Sequence, residues 1–416
     1  MSTWHAKSVL IIINNDFYNK LIIILIYIYV KRNFYIISYM IYLLLFINAI
    51  NAVFNEEILN RLNEANNIKV IDYAIIDTMI STKISVGSSS SRYVPIDLSI
   101  DASFISSKFL KDKNLLSSGI DSILYNSITY IMTSYKNSIS FHSENENKIN
   151  VDNFFFYNSE YGYVDHELIS LSYKSKHNEK SITYNLKKSD MINKESFTII
   201  PSDDSKGNII FGDISYMLNN YNKAVLSIEN TTNSQWNTKL NEVSLSMMNG
   251  TVISLTNNSN IYFKSDSNDI LIPTNAFNIL TKFFFSNKNF DCSVYGGKYV
   301  NVLRCQCDIK SHFKSISMKI GKYQFEIDDL FTENKGKCDF IMKNKYGEAN
   351  WGIGYVFFDK FITTFDKEDN EIVLYSKNTF NVNKRKDTFI IKNVIEINSL
   401  LLFVMIIVHF GYKYIL

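Results

Sequence analysis

Short apolar segments of strand length recur along the middle of this 416-residue chain and constrain its fold more than any other feature. They are rich in Ile, Val, Phe, Tyr and Ser, and clusters of Asn, Ser, Asp and Lys separate them. Examples are ISTKISVG (80–87), SISFHS (138–143), NIIFGDI (208–214), SISMKIG (315–321) and EIVLYS (371–376). Such runs are typical of strands. The sequence therefore predicts a mainly β protein, with a few short helices that include 276–285 and 354–362.

The overall charge and length narrow the class of protein further. A net charge of +2 and a longest basic run of only three residues, Lys384 to Lys386, give no sign of nucleic-acid binding. A chain of this length is expected to form two or three core-forming units. Glycine is scarce, with 14 residues in the whole chain. Motifs that normally contain glycine are therefore expected to be altered.

Both ends of the chain are apolar and predict membrane attachment. Near the N-terminus, the basic pair Lys31-Arg32 precedes an apolar run at 34–52 that ends in small residues, as in a signal peptide or signal anchor. The last segment, 399–416, approaches the length of a transmembrane helix, although a terminal core helix is the alternative. The bulk of the chain would then lie in the secretory lumen or outside the cell.

All four cysteines, Cys292, Cys305, Cys307 and Cys338, lie in one short region. An even number of clustered cysteines predicts local disulfides in a secreted chain. A zinc site is disfavoured because Cys305 and Cys307 are separated by one residue and only His312 lies nearby. No metal or cofactor is expected.

The segment NWGIGYVFFDKFITTFDKEDNEIVLYS (350–376) resembles the last core segment of pepsin-like aspartyl proteases. In that family a Trp-x-Leu-Gly motif precedes a short helix and a Phe-Asp hairpin. The matching residues are Trp351, Gly354, Phe357, Phe365, Asp366 and Asn370. Other segments follow in the family's order: HELISLSY (166–173), GNIIFGDIS (207–215), SQWNTKLNEVSL (234–245) and the region from 307 to Cys338.

The resemblance implies a bilobal pepsin-like acid protease fold, with terminal hydrophobic helices added by the apolar ends. It also implies that Cys338 pairs with Cys305 or Cys307, and that Cys292 takes the remaining partner. The predicted organisation is a signal peptide or anchor at 1–52, lobes at 53–225 and 226–380, a linker at 381–398 and a transmembrane helix at 399–416.

The family's chemistry requires one aspartate from each lobe, and the two carboxyls share a proton and a water. In the first lobe, Asp97-Leu98-Ser99 stands where the family has Asp-Thr-Gly, and Asp101 is a rival. In the second lobe, counting from either flank of IYFKSDSNDILIPT places Lys264 at the aspartate position. The rival there is Asp266, which begins Asp-Ser-Asn and needs a two-residue shift of register.

Two consequences follow from this resemblance. A Lys264 that faced Asp97 would form a salt bridge and lower the pKa of the aspartate, which removes the general acid. The flap, a hairpin in which the family has a Tyr followed by Gly-rich turns, is assigned to 128–143 with Tyr135 or Tyr130, and this stretch has no glycine. Ser170 and Ser172 likewise stand where glycines are usual.

The sequence therefore supports three readings of function, and one of them is a surface β protein with no function in the cleft. The other two are as follows. The first is a membrane-anchored pseudoprotease that binds a peptide or protein in the cleft between the lobes. The second is an active aspartic-type endopeptidase that uses Asp97 and Asp266.

Overall fold

The computed structural model describes residues 67–382 apart from 107–116, 126–127, 144–147, 159–166, 174–180, 204, 230–234, 288–289, 297–299, 346, 348 and 378–379. Within this range, the side chains of 122–125, 128–130, 203, 257 and 381–382 are not described. Strands dominate this part of the chain. In Tyr323–Ile327, for example, the first, third and fifth side chains are buried and the two between them are more accessible, as expected when one face of a sheet covers a core. The mainly β prediction is confirmed.

The first sheet has 13 strands and contains most of the chain before residue 228 together with one hairpin from the far end. Its strands are β1 (Lys69–Ile76), β2 (Met79–Val86), β3 (Arg92–Asp97), β4 (Phe104–Ile105), β5 (Ser117–Tyr125), β6 (Ile128–His142), β7 (Lys148–Asn158), β8 (Ile169–Ser170), β9 (Ser196–Asp203), β10 (Lys206–Phe211), β11 (Asn222–Ser227), β22 (Ile362–Asp366) and β23 (Glu371–Ser376).

The second sheet has 11 strands, of which ten lie between those two parts of the sequence and β24 follows the hairpin. Its strands are β12 (Asn237–Met247), β13 (Val252–Phe263), β14 (Ile270–Ile272), β15 (Cys292–Gly296), β16 (Val300–Cys305), β17 (Phe313–Ile320), β18 (Tyr323–Ile327), β19 (Phe331–Asn334), β20 (Lys337–Lys345), β21 (Trp351–Ile353) and β24 (Asn381–Val382).

Helices are few in the described residues. They are α1 (Ile182–Lys188), α2 (Thr274–Ser286) and two 3-10 helices, Ser215–Leu218 and Cys307–His312. Helix α2 confirms the prediction at 276–285, because it buries Ala276, Phe277, Leu280 and Phe284 along one face. The helix predicted at 354–362 is wrong. That segment forms successive turns, in which Phe357 N–H binds Gly354 O and Phe361 N–H binds Phe357 O.

The hairpin β22–β23 inserts between β9 and β11 of the first sheet, although its sequence follows the second sheet. Phe365 of this hairpin stacks on Phe197 with ring centroids 4.9 Å apart, and lies 5.0 Å from Trp236 and 5.8 Å from Phe263. Trp236 in turn donates from its indole N–H to Leu171 O at 2.8 Å. The chain's two halves therefore share an aromatic core.

Two disulfides, Cys292–Cys305 and Cys307–Cys338, join the strands at one side of the second sheet. This is one of the two pairings that the sequence allowed. The apolar termini at 1–52 and 399–416 lie outside the described residues. Within the described residues, none of the helices combines the length and the apolar character that crossing a bilayer requires.

Candidate active site

Asp97 is the last residue of β3 and is 5% exposed. The preceding strand is anchored in the core by Val94 and Ile96, so the aspartate stands at a fixed position where the chain leaves the sheet. Its Oδ1 accepts hydrogen bonds from Ser99 N–H at 2.6 Å, Ser99 O–H at 2.7 Å and Ile100 N–H at 3.0 Å. The turn after β3 therefore holds the carboxyl group in one orientation.

Lys264 occupies a matching place in the second half of the molecule. In the first half, Ile96 lies opposite Ile169 in a parallel pair, and Asp97 follows. In the second half, Phe263 lies opposite Ile353 in a parallel pair, and Lys264 follows, with its N–H bound to Ile353 O at 3.0 Å.

The residues after this pair also correspond, but only one of them has a hydroxyl. Ser265 is fully buried, and its O–H donates to Ile96 O at 2.6 Å, which links the two halves next to Asp97. The residue in the same place of the first half is Leu98, which is buried and has no hydroxyl to return the bond.

The ammonium group of Lys264 is buried, with its side chain 5% exposed, and forms an ion pair with Asp266 Oδ1 at 3.0 Å. It also donates to Ser267 Oγ. Among the described residues, no ion pair joins Lys264 to Asp97. The expected salt bridge between Lys264 and Asp97 is therefore wrong, because a carboxylate two residues along the chain satisfies the lysine locally.

The pKa of Asp97 is raised rather than lowered. Burial is the largest cause, and the negative charge of Asp266 adds to it, while the hydrogen bonds from Ser99 and Ile100 offset part of the effect. The expectation that a nearby cation would lower the pKa of Asp97 is wrong. The reason is the same as for the salt bridge, because Lys264 is paired with Asp266.

Asp266 has the opposite shift. Its burial acts to raise the pKa, but the charge of Lys264, its hydrogen bond and the charge of Lys345 outweigh burial, so that the pKa of Asp266 is lowered. Its side chain still has 46% of its surface accessible. The site thus holds one carboxyl whose pKa is raised and one whose pKa is lowered.

Comparison with known proteins identifies the family to which this arrangement belongs. A family model for eukaryotic aspartyl protease matches residues 128–376, which is more than half of the chain. The chain belongs to the eukaryotic aspartyl protease family. Lys264 and Asp266 lie inside the matched range and Asp97 lies before it.

Solved structures have the same fold as this family member at low sequence identity. The aspartic proteinase from Irpex lacteus is 14% identical with a TM-score of 0.58, and the match covers 74% of this chain and 97% of that one. Basic 7S globulin from soybean is 12% identical with a TM-score of 0.57, over 76% and 96% of the two chains. These matches confirm the pepsin-like fold. A comparison with curated proteins gave no match.

Ser170, which the sequence placed where the family has glycine, binds the loop that follows Asp97. Ser170 lies opposite Asp97, its N–H binds Ser103 Oγ at 2.9 Å, and its hydroxyl donates to Ile100 O. The rival aspartate, Asp101, lines a small pocket of about 10 Å³, together with Ser170 and Tyr157.

The stretch 128–143, to which the sequence assigned the flap, lies mostly in β6. Strand β6 pairs with β5 in a hairpin whose last pair is Tyr125 opposite Ile128. Tyr135 lies at the base of that hairpin, opposite Ser117 and Phe156, and its ring stacks on Phe156 at 6.0 Å. Tyr130 lies opposite Ile123 in the backbone register.

Proposed function

We propose that this chain is a polypeptide-binding member of the family in which Lys264 stands at the position of the second catalytic aspartate. The observation that carries the proposal is the matching register of Ile96 with Ile169 and of Phe263 with Ile353. Both isoleucines precede the position where the family's motifs have glycine, which is Ser170 in one half and Gly354 in the other. The hydroxyl of Ser265, bound to Ile96 O, supports the same assignment.

This arrangement disfavours the family's hydrolytic mechanism. An ammonium group cannot accept the proton of an attacking water while it is charged. Asp266 has one carboxylate oxygen on Lys264, and that ion pair opposes the proton uptake that general-base catalysis demands. The cleft, in contrast, needs no dyad in order to hold an extended polypeptide.

The test combines binding and cleavage by the purified full-length protein. We expect it to bind extended peptides while leaving denatured globin intact at about pH 4, where this class of dyad works. The matched control is Asp97→Ala, which should bind and remain inactive like the wild type. Cleavage by the wild type that disappears in Asp97→Ala contradicts the proposal.

A second candidate function, an endopeptidase that uses Asp97 and Asp266, is favoured by the opposite pKa shifts of these two residues. A neutral acid beside an ionised base is the charge state in which an aspartyl dyad begins catalysis. For this candidate, Asp266→Ala must abolish cleavage and Lys264→Ala must leave it. Loss of cleavage in both variants, or in neither, argues against a dyad formed by Asp97 and Asp266.

We also propose that the apolar termini anchor the protein in a membrane of the secretory pathway or cell surface, with the two-lobed part on the lumenal or extracellular side. The two disulfides are consistent with an oxidising compartment. Sedimentation with membranes after alkaline extraction, and protection of the two-lobed part from added protease in sealed vesicles, are the expected results. Release by alkali contradicts the anchor.

A further inference from the structure

The turn between β12 and β13 carries the acceptor pattern for N-linked glycosylation. Asn249-Gly250-Thr251 fits Asn-x-Ser/Thr, in which the middle residue is not proline. The turn joins the end of β12 at Met247 to the start of β13 at Val252, and all three residues of the pattern are exposed. A glycan acceptor requires both the pattern and a surface loop, and this turn supplies both.

Hydrogen bonds hold this turn in one shape. Thr251 N–H donates to Asn249 Oδ1 at 3.0 Å, so the side-chain amide of the asparagine lies beside the threonine. Met247 N–H binds Thr251 O at 2.9 Å, and Met248 N–H binds His312 O at 3.0 Å. The acceptor asparagine therefore projects from an anchored base, and these bonds use its amide oxygen rather than its amide nitrogen.

The surroundings of the turn have room for a bulky group. Gly250 has a φ of 85°, and among the described residues no heavy atom beyond its chain neighbours lies within 4 Å of the place where a Cβ would stand. On either side of the pattern, Met248 and Val252 are 67% and 62% exposed. A sugar on Asn249 would stand beside these two apolar side chains, and glycans of this kind make a surface more soluble.

The same pattern occurs at two other asparagines, and the structure favours Asn249 over both. Asn257 lies inside β13, where its backbone is opposite Glu242 in the ladder with β12, so it is part of the sheet rather than of a loop. Asn230 lies outside the described residues.

We propose that Asn249 is a site of N-linked glycosylation. The inference goes beyond the proposed function and rests on the proposed lumenal or extracellular location. The donor is an oligosaccharide linked to a polyprenyl lipid through pyrophosphate. Asn249 Nδ2 forms a bond to the anomeric carbon of the sugar and gives up one proton, while the bond from that carbon to the pyrophosphate oxygen breaks and the lipid pyrophosphate leaves.

The test is synthesis of the full-length protein in a cell extract with microsomal vesicles, which supply the transferase and the donor. We expect a shift in gel mobility that an N-glycosidase reverses. Because this glycosidase converts a glycosylated asparagine to aspartate, mass spectrometry of the treated protein should find aspartate at position 249.

Two pairs of variants separate loss of the acceptor from loss of the fold. Asn249→Asp keeps an oxygen for Thr251 N–H and removes the nitrogen, so it should lose one glycan, whereas Asn219→Asp changes an exposed asparagine outside the pattern and should keep it. Thr251→Val should lose the glycan and Thr251→Ser should keep it, since the pattern requires the hydroxyl.

An Asn249 that stays unmodified in the wild type overturns the inference. Protection of the two-lobed part from added protease in the same vesicles then shows that the proposed location stands and only the inference fails, whereas digestion shows that both fail. A glycan number that is unchanged in Asn249→Asp also overturns the inference.

Discussion

At the scale of single residues, the buried Lys264 is tolerated because its partner is local. A buried ammonium destabilises a fold unless a carboxylate and hydrogen bonds satisfy it. Asp266 and Ser267 supply both within three residues of the lysine. Lys264 and Asp266 therefore act as one unit, and a substitution of either residue changes the electrostatics of the other.

Replacing Asp97 with Asn is expected to stabilise the protein at neutral pH. Burial and the charge of Asp266 raise the folded-state pKa above the ordinary value of 3.8, so the wild type loses stability as the pH rises through that raised pKa. The amide oxygen of Asn can still accept the bonds from Ser99 and Ile100. Below pH 3.8 the aspartate is mostly protonated in both states, so the advantage should vanish.

The measurement is the free energy of unfolding by denaturant at acidic and neutral pH. Asp328→Asn is the matched control, because an ion pair with Lys360 lowers the pKa of Asp328 and its loss should destabilise at neutral pH. An Asp97→Asn protein that is less stable than the wild type at neutral pH contradicts the raised pKa.

At the scale of elements, the disulfide pairing depends on where the folded elements place the cysteines, which the cysteine spacing does not determine. Cys305 lies opposite Cys292 on one neighbouring strand and opposite Cys338 on the other. Both neighbours are therefore within reach of Cys305, and Cys338 is taken by Cys307 at the start of the following 3-10 helix. A sequence read without its sheet cannot distinguish these partners.

Removing either disulfide by paired Cys→Ser substitution should lower the free energy of unfolding by about 3 kcal/mol. The Cys307–Cys338 bond closes a separation of 31 residues and the Cys292–Cys305 bond one of 13, so the first should cost slightly more, by under about 1 kcal/mol. Denaturant unfolding of the two double variants tests the order. A clearly larger loss for Cys292–Cys305 contradicts loop closure as the main effect.

At the scale of the whole molecule, the hairpin β22–β23 prevents the two halves from being independent. It fills the gap between β9 and β11, and Phe365 packs against residues of both halves. Neither half of the sequence contains all the strands of the first sheet. The lobe boundary at 225–226 thus remains a prediction about the linear sequence. The first sheet contains strands from both sides of that boundary.

A fragment of residues 65–229 is therefore expected not to fold alone, whereas 65–382 should fold. Without the hairpin, β11 loses β23, β9 loses β22 while it keeps β10, and Phe197 loses its stacked ring, which leaves unpaired edges and an open core. Circular dichroism and limited proteolysis of the two fragments provide the measurement. Cooperative unfolding of the 65–229 fragment would show that the hairpin is dispensable. The control is the same fragment with residues 362–376 added as a separate peptide.

The sequence alone determined the fold class and the candidates for the site. Alternation of apolar and polar residues reports burial one strand at a time, and the segment 350–376 carried enough of the family's pattern to indicate a pepsin-like fold. Counting residues from the flanking segments was sufficient to select Asp97, Lys264 and Asp266 as candidate site residues, because the end of a strand is a local feature of the sequence.

Tertiary structure decided which of these groups interact. The choice of Asp266 over Asp97 as the partner of Lys264 depends on distances that spacing does not encode, and so does the direction of the pKa shift of Asp97. The same is true of the place of the hairpin β22–β23 in the first sheet. Electrostatic energy depends on separation and burial in three dimensions, and only the folded chain sets those two quantities.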